Sequence, residues 1–232
     1  MSNKHEYYYA NADSGHHHKY LINSLLEMVY SASPPLKNQP KPRILDIGCG
    51  NGSLTNLIAQ QGYEVIGVEE SKSGVQLAQE KFPDCRFIQG SIYDLPYTEI
   101  GGQFDLIISC EVIEHLFDPK AIVRNTKQLL KPNGRLILTT PYHGYLKNLA
   151  LAISGKMDKH FTALWDGGHI KFFSVKTLKN LLTTEGYTNI EFKFAGRIPY
   201  LWKSMLCSST LEEAYSRHET IISQSVFNRL EL

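Results

Sequence analysis

Ile44-Leu-Asp-Ile-Gly-Cys-Gly-Asn-Gly-Ser-Leu54 is an apolar run that breaks into three glycines at alternate positions and then resumes as an amphipathic stretch. A buried strand entering a helix through a turn of this kind belongs to doubly wound α/β folds, where ligands sit at the carboxyl ends of the strands. Each glycine removes a Cβ, which permits a tight turn and lets a ligand approach the backbone. The spacing is not G-x-G-x-x-G: the third glycine, Gly52, comes one residue early, and Ser53 stands where a dinucleotide fingerprint would place it. A pyrophosphate is therefore not the expected ligand.

Outward from this turn, short β-branched runs alternate with longer amphipathic stretches, the order that yields βαβ units and a mostly parallel, doubly wound sheet. The pattern predicts strands over 43–47, 64–68, 86–89, 104–109 and 135–139, and helices over 53–61, 72–81 and 119–130. Lys131-Pro-Asn-Gly134 supplies stop signals for the last of these helices. Upstream, Tyr20 to Val29 has helical spacing and the four prolines between Ser31 and Pro42 end it. Downstream come an irregular insertion over 141–168, a helix over 175–185 closed by Gly186 and a strand near 190–194. Residues 201–208 suit a strand or a helix, and 211–232 a helix. We expect a single domain over 1–232: an N-terminal helical cap (1–40), a cofactor-binding half (41–140), a substrate-side half (141–208) and a tail (209–232).

The acids around the turn define the ligand further. Asp46 precedes the glycines and would repel a diphosphate, but suits a ligand carrying an ammonium group, as S-adenosylmethionine does. Seventeen residues after Gly52 the second strand ends in Gly67-Val-Glu-Glu-Ser71, and Glu69, ahead of Glu70, is placed to accept hydrogen bonds from both hydroxyls of a ribose. The succession D-x-G-C-G-x-G, then G-V-E, then Phe87-Ile-Gln-Gly-Ser-Ile92 resembles the ordered motifs of class I S-adenosylmethionine-dependent methyltransferases, over roughly residues 43 to 190. The resemblance implies a Rossmann-like methyltransferase fold with the cofactor on Asp46, Gly48, Cys49, Gly50, Gly52, Glu69, Glu70, Ser91, Ile92, Cys110 and Glu111. Ser91 departs from the aspartate more usual near the adenine.

The fourth strand runs into Glu111-Val-Ile-Glu-His115. A helix starting near Glu111 would align Glu111, Glu114 and His115 at i, i+3 and i+4 on one face. With His169 of Gly167-Gly-His-Ile-Lys-Phe-Phe173 they form a candidate set for Mg²⁺ or Mn²⁺. This E-x-x-E-H run resembles that of ubiquinone-biosynthesis O-methyltransferases and of small-RNA 2′-O-methyltransferases, and so implies a divalent ion and transfer to oxygen. The same Glu-His pair also suits methyltransferases that use no metal. His115, His143 and His169 are the candidate bases, since methyl transfer to a protonated acceptor needs one.

Tyr142 to Ser154, with Phe161 to Trp165, is long, apolar and aromatic where acceptors usually enter; it reads equally as a lid or as an ordinary helical insertion. Gly196 to Lys203 and Tyr7-Tyr8-Tyr9 would add to that surface. An aromatic, isoprenoid or otherwise lipid-like small molecule is the acceptor expected. Methylation of a glycan or RNA, N- or C-methylation of a small molecule, and a non-catalytic cofactor-binding module are the alternatives. In 232 residues, 24 Lys and Arg balance 23 Asp and Glu for a formal charge of +1, so DNA is not an expected partner and RNA gains no support. The four separated cysteines indicate reduced thiols in the cytoplasm, no run reaches the ~20 apolar residues of a transmembrane segment, and oligomerisation stays open. His16 to His18 receive no role.

Overall fold

The computed structural model describes residues 7–9, 19–161 and 163–211. The helix expected over 211–232 lies outside them except for Leu211, which ends a strand, and the run His16 to His18 lies outside them. Seven strands form one sheet: β1 (Arg43–Ile47), β2 (Glu64–Glu69), β3 (Arg86–Gln89), β4 (Phe104–Cys110), β5 (Leu130–Pro141), β6 (Tyr187–Ala195) and β7 (Ser204–Leu211). Their order is β3-β2-β1-β4-β5-β7-β6. The first five are parallel and β7 is antiparallel to both neighbours. The sheet is thus mostly parallel with flanking helices, as its alternating pattern predicts. Order reverses between β1 and β4, which opens the ligand crevice at their carboxyl ends.

Alternation along the central strands assigns the two faces. Leu45, Ile107, Leu136 and Leu138 enter one core with Ile122, Val123, Leu178 and Leu182. Their neighbours Ile44, Leu106, Ile108 and Ile137 enter the other, with Leu21, Leu25, Met28 and Val29 around helix α1 (Ile22–Ala32) and with Leu54 and Ile58 of α2 (Ser53–Ala59). Period-2 side-chain direction in strands buried on both faces is the cause. Helix α3 (Lys72–Lys81) begins at Ser71, whose hydroxyl accepts from Gly74 N–H, and packs Val75 and Ala78 on Phe87 and Cys49. A short α4 (Tyr97–Ile100), unread in the sequence, precedes β4.

Two expected helices differ. That over 119–130 is α5 (Lys120–Asn125) followed by a 3₁₀ turn over Lys127–Leu129. Thr126 Oγ1 bonds back to the carbonyls of Ile122 (2.9 Å) and Val123 (3.1 Å), competing with the helical ladder, and the chain tightens. Lys131-Pro-Asn-Gly134 is then an irregularity inside β5, with Asn133 at φ 64°, where the register against β4 shifts. After β4 the expected helix at Glu111 is only a 3₁₀ turn, Ile113–His115. Glu111 itself takes φ 54°, and its N–H is held by the carbonyl and hydroxyl of Thr139 (both 3.1 Å), so the chain leaves β4 in a left-handed bend. The insertion after β5 contains α6 (Tyr145–Ile153) and α7 (Met157–Phe161); α8 (Val175–Thr184) starts in a Ser174–Thr177 capping box, and residues 201–208 resolve mainly as strand β7.

Ile107 is fully buried between β1 and β5. Ile107→Ala should lower unfolding free energy by about 2–5 kcal/mol in urea titration, the cost of lost transfer energy plus a cavity.

Candidate active site

Gly48, Gly50 and Gly52 all take positive φ, at 74°, 58° and 77°. Side chains at Gly48 and Gly52 would collide: a Cβ at Gly48 would lie 2.5 Å from Val112 Cγ2, and one at Gly52 2.7 Å from both Ala78 Cβ and Phe87 Cζ. The turn's N–H groups are engaged within the protein. Those of Gly48 and Cys49 donate to the Val68 carbonyl (2.7 and 3.1 Å), and that of Gly50 donates to Glu69 Oε2 (2.8 Å). Such a turn is not an anion nest, in agreement with its spacing. The Cys49 side chain turns into the fold, packing on Val75, Ala78 and Phe87 under Gly67, where a Cβ would lie 2.7 Å from Cys49 Sγ.

Glu69 is buried at the end of β2 and accepts from Gly50 N–H and Ser71 N–H, each 2.8 Å. The Glu70 backbone also supports the carboxylate, which with about four acceptor positions in all keeps room for a further donor. Burial raises its pKa, and the backbone donors oppose that rise. Glu70 is exposed. Asp46 is buried on β1: Oδ2 accepts from Thr55 Oγ1 (2.7 Å) while Oδ1 has no partner within the protein. Burial drives its pKa up to about 7 against the Thr55 hydrogen bond. An orphaned buried carboxylate oxygen beside the glycine turn fits a ligand ammonium group. On the β3 side, Ser91 is partly exposed in a turn, and buried Ile92 is anchored through its carbonyl by Asn125 Nδ2 (2.7 Å). Cys110 is buried at the end of β4.

The predicted acidic face separates. Because no helix starts at Glu111, its carboxylate turns to Thr139 Oγ1 (2.9 Å) and Ser204 Oγ (3.2 Å), both donating; Ser204 also meets the Tyr20 hydroxyl (2.8 Å). Glu111 therefore stands outside the group that the bend leaves together: Glu114, His115 and His169, with one potential ligand atom each, all within 4.8 Å of one another. Glu114 is fully buried. Thr140 neighbours it without a well-formed hydrogen bond, and both Glu114 oxygens lack partners within the protein. His169 Nε2 lies 3.9 Å from Glu114 Oε1, and the His115 and His169 rings are 4.8 Å apart, edge to face. Burial raises Glu114 strongly, reinforced by the charge of Glu111, and burial lowers His115, which is held by the backbone of Gly168 and Gly167.

His143 does not join them. Its ring lies 5.9 Å from Phe161, nearly parallel, and 5.0 Å from Phe172, edge-on, and burial with the nearby Lys147 cation holds its pKa down at about 4. Lys147 was missed: apolar neighbours on α6 concealed it, yet it is buried, donates from Nζ to the Tyr142 carbonyl (2.7 Å), and is pushed down to about 8 by burial. Tyr145 is 89% exposed, Ile153 79% and Leu164 99%. A cleft of about 540 Å³ lies among Asp158, Phe161, Ala163, Leu164 and Trp165, and the Trp165 ring is 6.4 Å from that of His169.

Residues 15–191 match the family described as Methyltransferase domain, and the chain belongs to that family of S-adenosylmethionine-dependent enzymes. It is similar to proteins named ubiquinone biosynthesis O-methyltransferase. One from Ruegeria sp. strain TM1040 is 33% identical over 181 residues, covering 75% of this chain and 71% of the relative. One from Azorhizobium caulinodans is 33% identical over 117 residues, covering 49% of this chain and less than half, 45%, of the relative. The fold matches a magnesium protoporphyrin IX methyltransferase from Synechocystis PCC 6803 with bound S-adenosylhomocysteine (TM-score 0.62, 21% identity, 83% of this chain and 82% of that one). It also matches a protein from Pyrococcus horikoshii OT3 (TM-score 0.64, 18% identity, 88% and 95%).

A carboxyl whose folded pKa is raised favours the protonated native state, so its contribution is present below the unfolded value, 3.8, and is lost as pH climbs to about 7. Asp46→Asn keeps an acceptor for Thr55 and removes that loss. In ligand-free thermal or urea unfolding, the variant should match the parent near pH 4 and exceed it by on the order of 3 kcal/mol at pH 8; a constant difference across this range would contradict the buried-acid assignment.

Proposed function

We propose that this methyltransferase transfers the methyl group to a hydroxyl of a small, apolar or aromatic acceptor. The observation that carries the reading is the unpartnered, fully buried Glu114 carboxylate beside His115 and His169, next to an open apolar cleft. In the cofactor half, Asp46 would receive the ammonium group, Glu69 the ribose hydroxyls and Ile92 the adenine side, while the glycines admit the ligand to the backbone. S-adenosylmethionine supplies the methyl on a sulfonium whose leaving group is already good, so the protein's task is alignment and, for oxygen, removal of the acceptor proton. His115 is kept neutral by burial and is the base we assign; His169 and Glu114 hold its neighbourhood.

In a second reading the two imidazoles and the carboxylate would hold a divalent ion, and His115 would then be a ligand and not the base. With Glu111 engaged by Thr139 and Ser204, the remaining set has one oxygen ligand residue and two nitrogens, which favours Mn²⁺ over Mg²⁺. Such an ion would supply acidification of the acceptor hydroxyl. The curated relatives named for ubiquinone biosynthesis support transfer to oxygen and a lipid-like acceptor. The exposed residues of α6 and α7 support an apolar mouth. No helix among the described residues is long and apolar enough to cross a membrane, and the four unpaired cysteines fit a reducing cytoplasm.

The test is incubation with methyl-labelled S-adenosylmethionine and host extract divided into small-molecule, lipid, nucleic-acid and protein fractions. Label should enter the small-molecule or lipid fraction; label confined to nucleic acid or protein would overturn the acceptor class. With that acceptor, His115→Ala and Glu114→Gln should each lose about 10²-fold or more in kcat, and unchanged turnover in both would remove the base and its partner. Loss of activity in chelator with recovery in Mn²⁺ is the expected sign of the ion.

A further inference from the structure

Tyr7 to Tyr9 do not join the acceptor mouth; they cross the opposite, cofactor side of the crevice. Ser71 Oγ donates to the Tyr7 carbonyl (2.6 Å), Tyr9 N–H donates to Ser73 Oγ (3.2 Å), and the two serine hydroxyls meet at 2.9 Å. The segment is thereby tied to the start of α3. Tyr8 points outward, 78% exposed, whereas the Tyr9 ring is set between two glycines. A Cβ on Gly50 would lie 2.9 Å from the Tyr9 hydroxyl and 3.2 Å from its ring. One on Gly74 would lie 3.0 Å from the ring and 2.9 Å from the Gly50 carbonyl.

Gly74 is informative because it sits in the first turn of a helix, where Gly is less favourable than Ala by up to about 1 kcal/mol, and its φ is not positive. Space is what glycine provides there. The two bare backbones form a slot that an aromatic ring fills, on the glycine turn and beside Glu69, whose negative field joins burial in raising the phenol's pKa. The hydroxyl therefore remains a neutral donor. Glu69 keeps acceptor capacity toward the crevice, because the hydrogen bonds it accepts come from the backbone of Gly50, Ser71 and Glu70 and not from Tyr9. The ring stands beside the ribose-binding position without filling its hydrogen-bonding role.

We propose that Tyr9 is a cofactor-binding residue: its ring walls the crevice over Glu69, and seating of the Tyr7–Tyr9 segment on Ser71 and Ser73 closes the site around an adenosyl ligand. This rests on the assignment of the glycine turn and Glu69 as the cofactor site. Shielding the diol–carboxylate hydrogen bonds from water strengthens them, and an unseated segment leaves them solvated.

Calorimetric titration of the full chain with S-adenosylhomocysteine tests the proposal without requiring an acceptor. Tyr9→Ala should weaken binding about tenfold or more, Tyr9→Phe and Ser73→Ala by less, and Tyr8→Ala not measurably, with ligand-free melting temperatures unchanged. Equal or tighter binding by Tyr9→Ala would overturn the proposal, since the ring would then be packing only or an obstruction. In the unmodified chain, saturating S-adenosylhomocysteine should slow chymotryptic cleavage at Tyr7 to Tyr9 at least tenfold, and an unaltered rate would also overturn it. Absence of binding by the unmodified chain would instead overturn the cofactor-site assignment, and the two failures are thus separable.

Discussion

The hydrogen bonds from Gly50 N–H and Ser71 N–H to the Glu69 carboxylate, each 2.8 Å, set the geometry on which the site depends. One carboxylate joins the turn after β1 to the start of α3, so the two walls of the crevice are fixed to each other through a buried charge. Charge-assisted bonds to backbone N–H groups are among the stronger hydrogen bonds in proteins, and here they offset the desolvation that raises Glu69. Glu69 is consequently a structural clasp, and the proposed cofactor role adds that of a ligand acceptor. The roles do not compete, because they use different lone pairs.

Glu69 is one of four desolvated acids along the carboxyl ends of β1, β2 and β4: Asp46 and Glu114 are buried like it, and Glu111 is partly buried. Burial raises the pKa of every one. No lysine or arginine forms a salt bridge with any of them among the described residues, in contrast to Glu185, which is clasped by Arg124 and Lys127 on the far side of the fold and is lowered. A line of carboxyls without a lysine or arginine ion pair, with only the longer-range field of Lys147 supporting Glu111, is unfavourable on its own. It is favourable toward a cationic ligand, and a sulfonium with an ammonium group answers that field. Perturbed acids gathered at one sheet edge are the physical mark of a site.

The parallel strands were legible because both faces are buried and each strand is a short apolar run bounded by breakers; β1 and β3 fall on the expected residues. Glu69 was legible over Glu70 for the same reason, being the first polar residue after the run. Glu111 was not. Its left-handed bend depends on Thr139 in β5, 28 residues away, and no local periodicity reports a tertiary hydrogen bond. Which of the three candidate histidines lie together was not legible either: His115 and His169 meet because the backbone N–H groups of Ile170 and Lys171 bind the Glu114 carbonyl (both 2.9 Å), while His143 is drawn into an aromatic cluster by Phe161 and Phe172. Lys147 and Tyr9 carry no motif at all; each has meaning only through what packs around it.

The pair Glu111 and Glu114 shows how the fold differentiates two like groups three residues apart. Both are desolvated and each discourages ionisation of the other. Glu111 receives two hydroxyl donors, from Thr139 and Ser204, and its charge is therefore the better supported. Glu114 receives none. A carboxyl with only a structural task would be expected to recruit a donor, since leaving buried oxygens unpaired costs about 1–3 kcal/mol or more. The cost is tolerated where the missing partner arrives with the reaction, as a proton, a cation or the acceptor itself, and environments that push paired acids apart commonly mark the acid–base centre. The asymmetry of this pair, as much as the presence of its histidines, is what favours the proposed placement of the acid–base centre around Glu114 and His115.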